Sequence, residues 1–202
     1  MIAALLCAVV FACSAACGIA LAQTLCSGVE SFEGAPEPSR LSPAVPVITF
    51  AVLGIIMALR GAGALQLGTV ALVGVALAGS WHADAKHGIV PDLFTLVPLG
   101  IIAIAVMLHH TWFIAVSALV TGGAFAIAAL LSRGRGMGWG DAKLAAVSGA
   151  LLGLPWSLGV LGVACFGATV VAVVRHRGTK PIAFAPYIVV ACLSAIALTV
   201  HG

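Results

Sequence analysis

Charged residues are scarce in this sequence. Of its 202 residues, 62% are hydrophobic and 7% are charged, with six acidic against nine basic side chains. A water-soluble domain of this size needs more charge than this to cover its surface. The few polar residues are grouped in short breaks between apolar runs, which is typical of membrane proteins with several spans. The composition therefore predicts a protein embedded in the lipid bilayer.

Two other absences narrow the possible functions. The nine basic residues are spread over several short loops rather than one stripe, which argues against a nucleic-acid partner. The six cysteines form no Cys-x-x-Cys pair, and five of them lie inside apolar runs, where cysteine is usually a small buried side chain. We therefore expect no metal, no cofactor and no disulfide framework.

The apolar runs predict an all-α bundle of about eight transmembrane helices, with six or seven as the alternative. A span needs about 20 residues, so the two shortest runs have uncertain ends. The stretch 142–174 is too long for one span and is counted as two helices, broken at Leu154-Pro155-Trp156. The runs are 2–22, 43–59, 62–81, 93–108, 111–131, 142–154, 156–174 and 183–200.

These runs divide the chain into three parts. Residues 1–22 form an N-terminal transmembrane helix, 23–42 an acidic cytoplasmic linker, and 43–202 a membrane-embedded domain. The linker contains three glutamates and two prolines, which favours a flexible connector. A secretory signal peptide is the alternative for 1–22, but apolar residues follow Met1 directly, without the positive charge that a signal carries.

The basic residues also predict an orientation. With eight spans, the loops at 82–92, 132–143 and 175–182 share one side of the membrane, and they hold seven of the nine basic residues. The positive-inside rule makes that side cytoplasmic. Asp84 and Asp141 fall in two of these loops, so they are predicted to lie on the same face.

The two aspartates are candidates for chemistry. Asp84 is expected just after the C-terminus of its helix, and Asp141, behind alternating glycines, at the start of another. Paired carboxyl groups are the catalytic groups of an aspartic protease, in which one holds a proton and the other acts as a base. Helix polarity favours Asp141 as the base and Asp84 as the proton-bearing partner. For Asp92 we expect a helix cap, and for Lys143 a marker of the positive side.

Three motifs together resemble the type IV prepilin peptidase family, the GxGD-type intramembrane aspartic proteases. The segment from Gly138 to Leu144 matches GxGDxKL throughout. Asp84, followed seven residues later by Pro91-Asp92 and then by Thr95, is similar to the first motif of the family. Residues 180–187 are similar to the closing segment, with alanine at two departing positions. The resemblance covers about residues 43–200.

The resemblance implies a function and a set of site residues. Asp84 and Asp141 would be the catalytic pair, cleaving the basic leader of prepilins or pseudopilins at the cytoplasmic face of the inner membrane without a metal. The motif and positioning residues would be Gly138, Gly140, Lys143, Pro91 and Asp92. Larger family members carry a cysteine-rich cytoplasmic domain linked to N-methylation, which the linker 23–42 replaces here. A peptidase without methyltransferase activity is therefore expected.

Two rival functions remain open at this stage. A small ion- or proton-coupled transporter would also use aspartates, but it would place them near the bilayer midplane rather than at helix ends. A non-catalytic family member could aid pilus or secretion assembly, although it would have no need to retain both aspartates.

Overall fold

The computed structural model describes residues 2–28, 42–131, 137–174 and 182–199, and within these ranges it contains eight helices and no strands. The all-α prediction and the count of eight are therefore confirmed. The helices are α1 (Ile2–Cys26), α2 (Ala44–Leu59), α3 (Ala64–His87), α4 (Leu93–His109), α5 (Trp112–Leu131), α6 (Trp139–Leu152), α7 (Leu154–Val174) and α8 (Ala185–Thr199).

The helices differ in how well they match a bilayer. Four of them, α1, α3, α5 and α7, are long and apolar enough to cross a membrane, whereas α2, α4 and α8 are apolar but shorter. Large apolar side chains such as Leu65 and Leu131 are more than four-fifths exposed, as expected where a helix faces lipid rather than water. The chain is a membrane helix bundle.

Helix α8 contacts four other helices of the bundle. It packs against α2, α3, α6 and α7, while α1 lies against α2 and α3, and α5 lies against α6. Phe50, Leu77, Leu144 and Ile188, from α2, α3, α6 and α8, are all buried in one apolar cluster. The helices that carry Asp84 and Asp141 are thus both held by α8.

Small residues allow the closest helix contacts. A Cβ atom added to Gly149 of α6 would lie 2.1 Å from Thr121 Oγ1 and 2.6 Å from the Ser117 carbonyl oxygen of α5. The Thr121 hydroxyl is 3.1 Å from the Ala145 carbonyl oxygen, to which it can donate across the interface. Such approach of backbones at small residues is typical of membrane bundles, and here it fixes α6 against α5.

Two helix ends near the aspartates differ from the prediction. Helix α3 continues through polar residues to His87 and stops at Gly88, whose left-handed backbone (φ 69°) lets its N–H bond to the Asp84 carbonyl oxygen. Asp84 therefore lies in the last turn of α3, and the prediction that it follows the helix was wrong. Helix α6 begins at Trp139, three residues earlier than the apolar run.

The N-terminal helix is also longer than its apolar run. It extends to Cys26, which is buried, so the predicted boundary at residue 22 was four residues short. Phe11, Ala15 and Ile19 of α1 are buried as well. Most of the predicted linker lies outside the described residues, as do the predicted loop residues 132–136 and 175–181.

Candidate active site

Asp84 is buried and anchors the start of another helix. Its side chain is 6% exposed, on the face of α3 that also carries the buried Leu77 and Trp81. The Oδ2 atom accepts a hydrogen bond of 2.7 Å from the backbone N–H of Ala185, the first residue of α8. The first N–H groups of a helix have no partner within the helix and carry partial positive charge. The Asp84 carboxylate supplies that partner.

Asp141 lies in the first turn of α6 and stabilises its start. Its Oδ2 atom accepts a hydrogen bond of 3.1 Å from the backbone N–H of Gly138, the residue just before the helix. A carboxylate at the third helical position that reaches back in this way forms one half of a capping box. Each aspartate therefore contacts the N-terminus of a helix, α8 for Asp84 and α6 for Asp141.

The two carboxylates lie at the same end of the bundle. They are close enough for the charge of Asp141 to act on Asp84. Helices α4 and α8 each pack against both α3 and α6, and so hold the two aspartate-bearing helices together. The parity of the spans predicted both aspartates on one face of the membrane, and in the structure the segments that carry them are in close contact, Gly140 against Val90.

Gly140 provides close contact between the two motif segments. A Cβ atom at Gly140 would lie 2.8 Å from Val90 Cβ, in the α3–α4 connector that follows Asp84. Real Cβ atoms essentially never approach so closely, so only glycine fits without movement. At Gly138 the backbone is extended (φ −84°, ψ 155°), and an added Cβ would meet only ordinary contacts. The two motif glycines therefore have different structural roles.

An ion pair joins the same two segments. Lys143 Nζ of α6 contacts Asp92 Oδ1, at the start of α4. Asp92 occupies the N-cap position, but its side chain makes no capping hydrogen bond, so the predicted capping role was wrong. Lys143 was predicted from its charge as a marker of the positive side and from the resemblance as a positioning residue, and in the structure it has a specific partner. Pro91 lies in the turn, where its carbonyl oxygen accepts from the Phe94 N–H.

Residues 182–184, just before α8, have a structural role that was not predicted from the sequence. Of the closing motif, the structure describes residues 182–187. The Phe184 ring stacks on Phe125 of α5, with ring centroids 6.1 Å apart, and Ala185 next to it donates to Asp84. The available sequence signals were a proline-flanked helix start and the similarity of residues 180–187 to the closing motif. Neither could show that this start contacts an aspartate 101 residues earlier.

The described residues offer a carboxylate pair rather than a metal centre. Among them, no group of three histidine, cysteine, aspartate or glutamate side chains is placed to hold a metal ion. The six cysteines are free thiols. Two neighbouring carboxyl groups can share a proton and hold a water molecule between them, the arrangement used by aspartic proteases.

Comparison with known families agrees with this geometry. The model of the type IV leader peptidase family matches residues 70–173, just over half of the chain. The chain belongs to the type IV leader peptidase family. The match includes both Asp84 and Asp141, and membership makes this chain a membrane peptidase of the leader peptidase type. No curated protein and no solved structure matches it.

The leader peptidase match extends from α3 to α7 and leaves out α8. The N–H group that holds Asp84 thus lies outside the matched region. The site of this leader peptidase needs the last helix as well as the matched residues, since α8 positions both aspartate-bearing helices.

Proposed function

We propose that this chain is an aspartic endopeptidase that removes the basic leader peptide from type IV prepilins or pilin-like proteins. The observation that carries the proposal is that Asp84 and Asp141 lie near enough for the charge of Asp141 to act on Asp84. Asp84 is buried and held by α8, in a chain of the type IV leader peptidase family.

The two carboxyl groups divide the reaction between them. The two carboxyl groups together form a dyad that holds a water molecule. Asp141 takes a proton from this water, and the water oxygen attacks the scissile carbonyl carbon. Asp84 gives its proton to the carbonyl oxygen, which becomes the hydroxyl of the tetrahedral intermediate. Collapse of the intermediate breaks the C–N bond, and the proton held by Asp141 passes to the leaving amine. As the C–N bond breaks, one hydroxyl of the intermediate returns its proton to Asp84, which leaves the new carboxyl terminus and restores both aspartates to their starting state.

The proposed location follows from charge. Helix parity predicts that the loops with most of the basic residues lie on the side of the aspartates, and the positive-inside rule makes that side cytoplasmic. We therefore propose that the two aspartates act at the cytoplasmic face of the inner membrane. A basic leader would remain on that face while the apolar helix of the prepilin enters the bilayer. We further propose that the enzyme lacks N-methyltransferase activity, because the linker 23–42 has one cysteine and no Cys-x-x-Cys motif.

Co-expression with a prepilin tests the proposal. Wild type, Asp84→Asn and Asp141→Asn are compared for leader removal by gel shift, with an immunoblot of the membrane fraction to show that each variant is present. Glu33→Gln makes the same carboxylate-to-amide change in the predicted linker and is the matched control. We expect each aspartate variant to lose at least about 100-fold in processing rate, the scale of general acid–base catalysis, while the control is unaffected.

Each result has a definite meaning. Full processing by either aspartate variant would contradict the dyad and favour the transporter or assembly function. Mass spectrometry of the product N-terminus tests the other part of the proposal. An unmethylated mature pilin is expected, and a methylated one made by this enzyme alone would show that the transferase activity is present.

A further inference from the structure

Ser80 lies one helical turn before Asp84 and has an unusual environment. Its side chain is fully buried in α3, and its hydroxyl oxygen has no hydrogen-bond partner. Residues four apart lie on the same helix face, and the later side chain leans back toward the earlier one. Ser80 and Asp84 are therefore neighbours on one face of α3.

Ser80 is an exception among the helical hydroxyl groups that the structure describes. Every other serine and threonine in these eight helices donates to a backbone carbonyl three or four residues earlier. The bonds of Ser148 to Leu144 and of Thr121 to Ser117 are examples. An unpaired buried hydroxyl costs roughly 1–3 kcal/mol, so a chain rarely keeps one without a use.

The carboxylate of Asp84 provides that use. Oδ2 accepts from the Ala185 N–H, and the backbone of Phe184 also interacts with the carboxylate, so the group already receives hydrogen bonds from the start of α8. An ionised carboxylate accepts several hydrogen bonds, and a serine hydroxyl can donate one. Gly79, beside Ser80, is packed so tightly on the Phe94 ring that an added Cβ would lie 2.5 Å from it. This turn of α3 is therefore held in place.

We propose that Ser80 is a positioning residue for Asp84, donating a hydrogen bond to its carboxylate once Asp84 has given its proton to the scissile carbonyl. The inference rests on the proposed peptidase function. While Asp84 is protonated, its carboxyl group carries no charge for the Ser80 hydroxyl to stabilise. When the carboxylate forms, the hydrogen bond from Ser80 stabilises its negative charge. Because the interaction strengthens only along the reaction, it contributes to kcat and not to substrate binding.

Substitution of Ser80 by alanine separates this role from a structural one. Removing an unpaired buried hydroxyl leaves no partner behind, so the thermal stability of Ser80→Ala should equal or exceed that of wild type. A hydrogen bond to a charged group is worth enough to predict a fall in kcat of about tenfold or more, with KM unchanged. Both quantities are measured on the purified full chain with a full-length prepilin.

Ser148→Ala is the matched control. Ser148 is as fully buried as Ser80, but its hydroxyl already donates to the Leu144 carbonyl oxygen over 3.1 Å. We expect this variant to lose stability and to keep its kcat, the opposite of the pattern for Ser80→Ala.

The outcomes distinguish the inference from the function on which it rests. A stable Ser80→Ala enzyme with wild-type kcat would overturn the role of Ser80. If the alanine variant loses stability, Ser80→Cys, of nearly equal volume but a weak donor, decides instead: reduced kcat supports the role and wild-type kcat overturns it. Full activity of Asp84→Asn, by contrast, would defeat the proposed function itself.

Discussion

At the scale of single residues, the alternating glycines before Asp141 are not equivalent. We predict that Gly140→Ala lowers leader processing by about tenfold or more, because its Cβ would lie 2.8 Å from Val90 Cβ and push the α3–α4 connector away from α6. Gly138→Ala should stay within about twofold of wild type, since its backbone suits any residue and its Cβ has ordinary contacts. Leader removal in the co-expression assay measures both.

A compensating variant checks the cause of that loss. Gly140→Ala combined with Val90→Gly removes the clashing Cβ atom and should recover part of the activity. Equal loss in both single-glycine variants would contradict the steric explanation, as would wild-type processing by Gly140→Ala. Helix propensity alone predicts the reverse effect, because alanine favours a helix over glycine by about 1 kcal/mol.

The sequence identified the paired aspartates but not what surrounds them. Asp84 and Asp141 were recognisable because acidic residues are so rare in this chain and because both lie at the ends of apolar runs. Their partners were not recognisable. Ala185 is 101 residues from Asp84, and its contribution is a backbone N–H that every residue except proline possesses. No side-chain pattern encodes such a contact.

At the scale of helices, the Lys143–Asp92 ion pair links α6 to the connector that follows α3. We predict that Asp92→Lys and Lys143→Asp each lower kcat/KM by up to about fivefold, as expected for loss of a partly exposed pair worth at most about 1 kcal/mol. The double charge reversal should restore most of the activity, because the pair re-forms with opposite polarity. Kinetics of the four enzymes give the coupling directly.

The salt dependence provides the control for that cycle. The difference between wild type and single variants should shrink at high ionic strength, since partly exposed charges are screened. If the fall in kcat/KM of the double variant equals the combined falls of the two single variants, each side chain acts separately, for example on substrate.

Helix boundaries were predicted well where apolar residues define them and poorly where they do not. Seven helix starts fall within two residues of the apolar runs, and α6 begins three residues early because a capping glycine and Asp141 open it. Helix α3 continues six residues beyond its run, since polar residues remain helical until Gly88 supplies the left-handed turn. Hydropathy marks where a helix meets lipid, not where its hydrogen bonds end.

At the scale of the whole molecule, composition was enough to predict a membrane bundle but not its arrangement. The all-helical class follows from backbone hydrogen bonding in lipid, which leaves few other choices for an apolar chain. The contacts of α8 with four other helices do not, because hydropathy does not show which segments are neighbours and close helix contacts depend on where small residues lie.

The orientation of this bundle leads to the last prediction. Three helices, α2, α3 and α4, separate Gly28 from His109, so these positions should lie on opposite faces of the membrane. In a chain freed of its six cysteines, a membrane-impermeant maleimide should label His109→Cys in intact cells and Gly28→Cys only after permeabilisation. Neither substitution removes a lysine or arginine, so the charge bias that orients the chain is kept.

Each alternative result identifies a different error. Reversed labelling would place the aspartates on the external face, away from a cytoplasmic leader. Labelling of both positions from one side would mean that α2 or α4, of 16 and 17 residues, does not cross the bilayer. Such helices measure about 25 Å against a hydrocarbon core of about 30 Å, so they cross only with thinning of the bilayer, snorkelling of flanking side chains or association with other helices. Opposite labelling would show an odd number of crossings between the two positions, as expected if α2, α3 and α4 all cross.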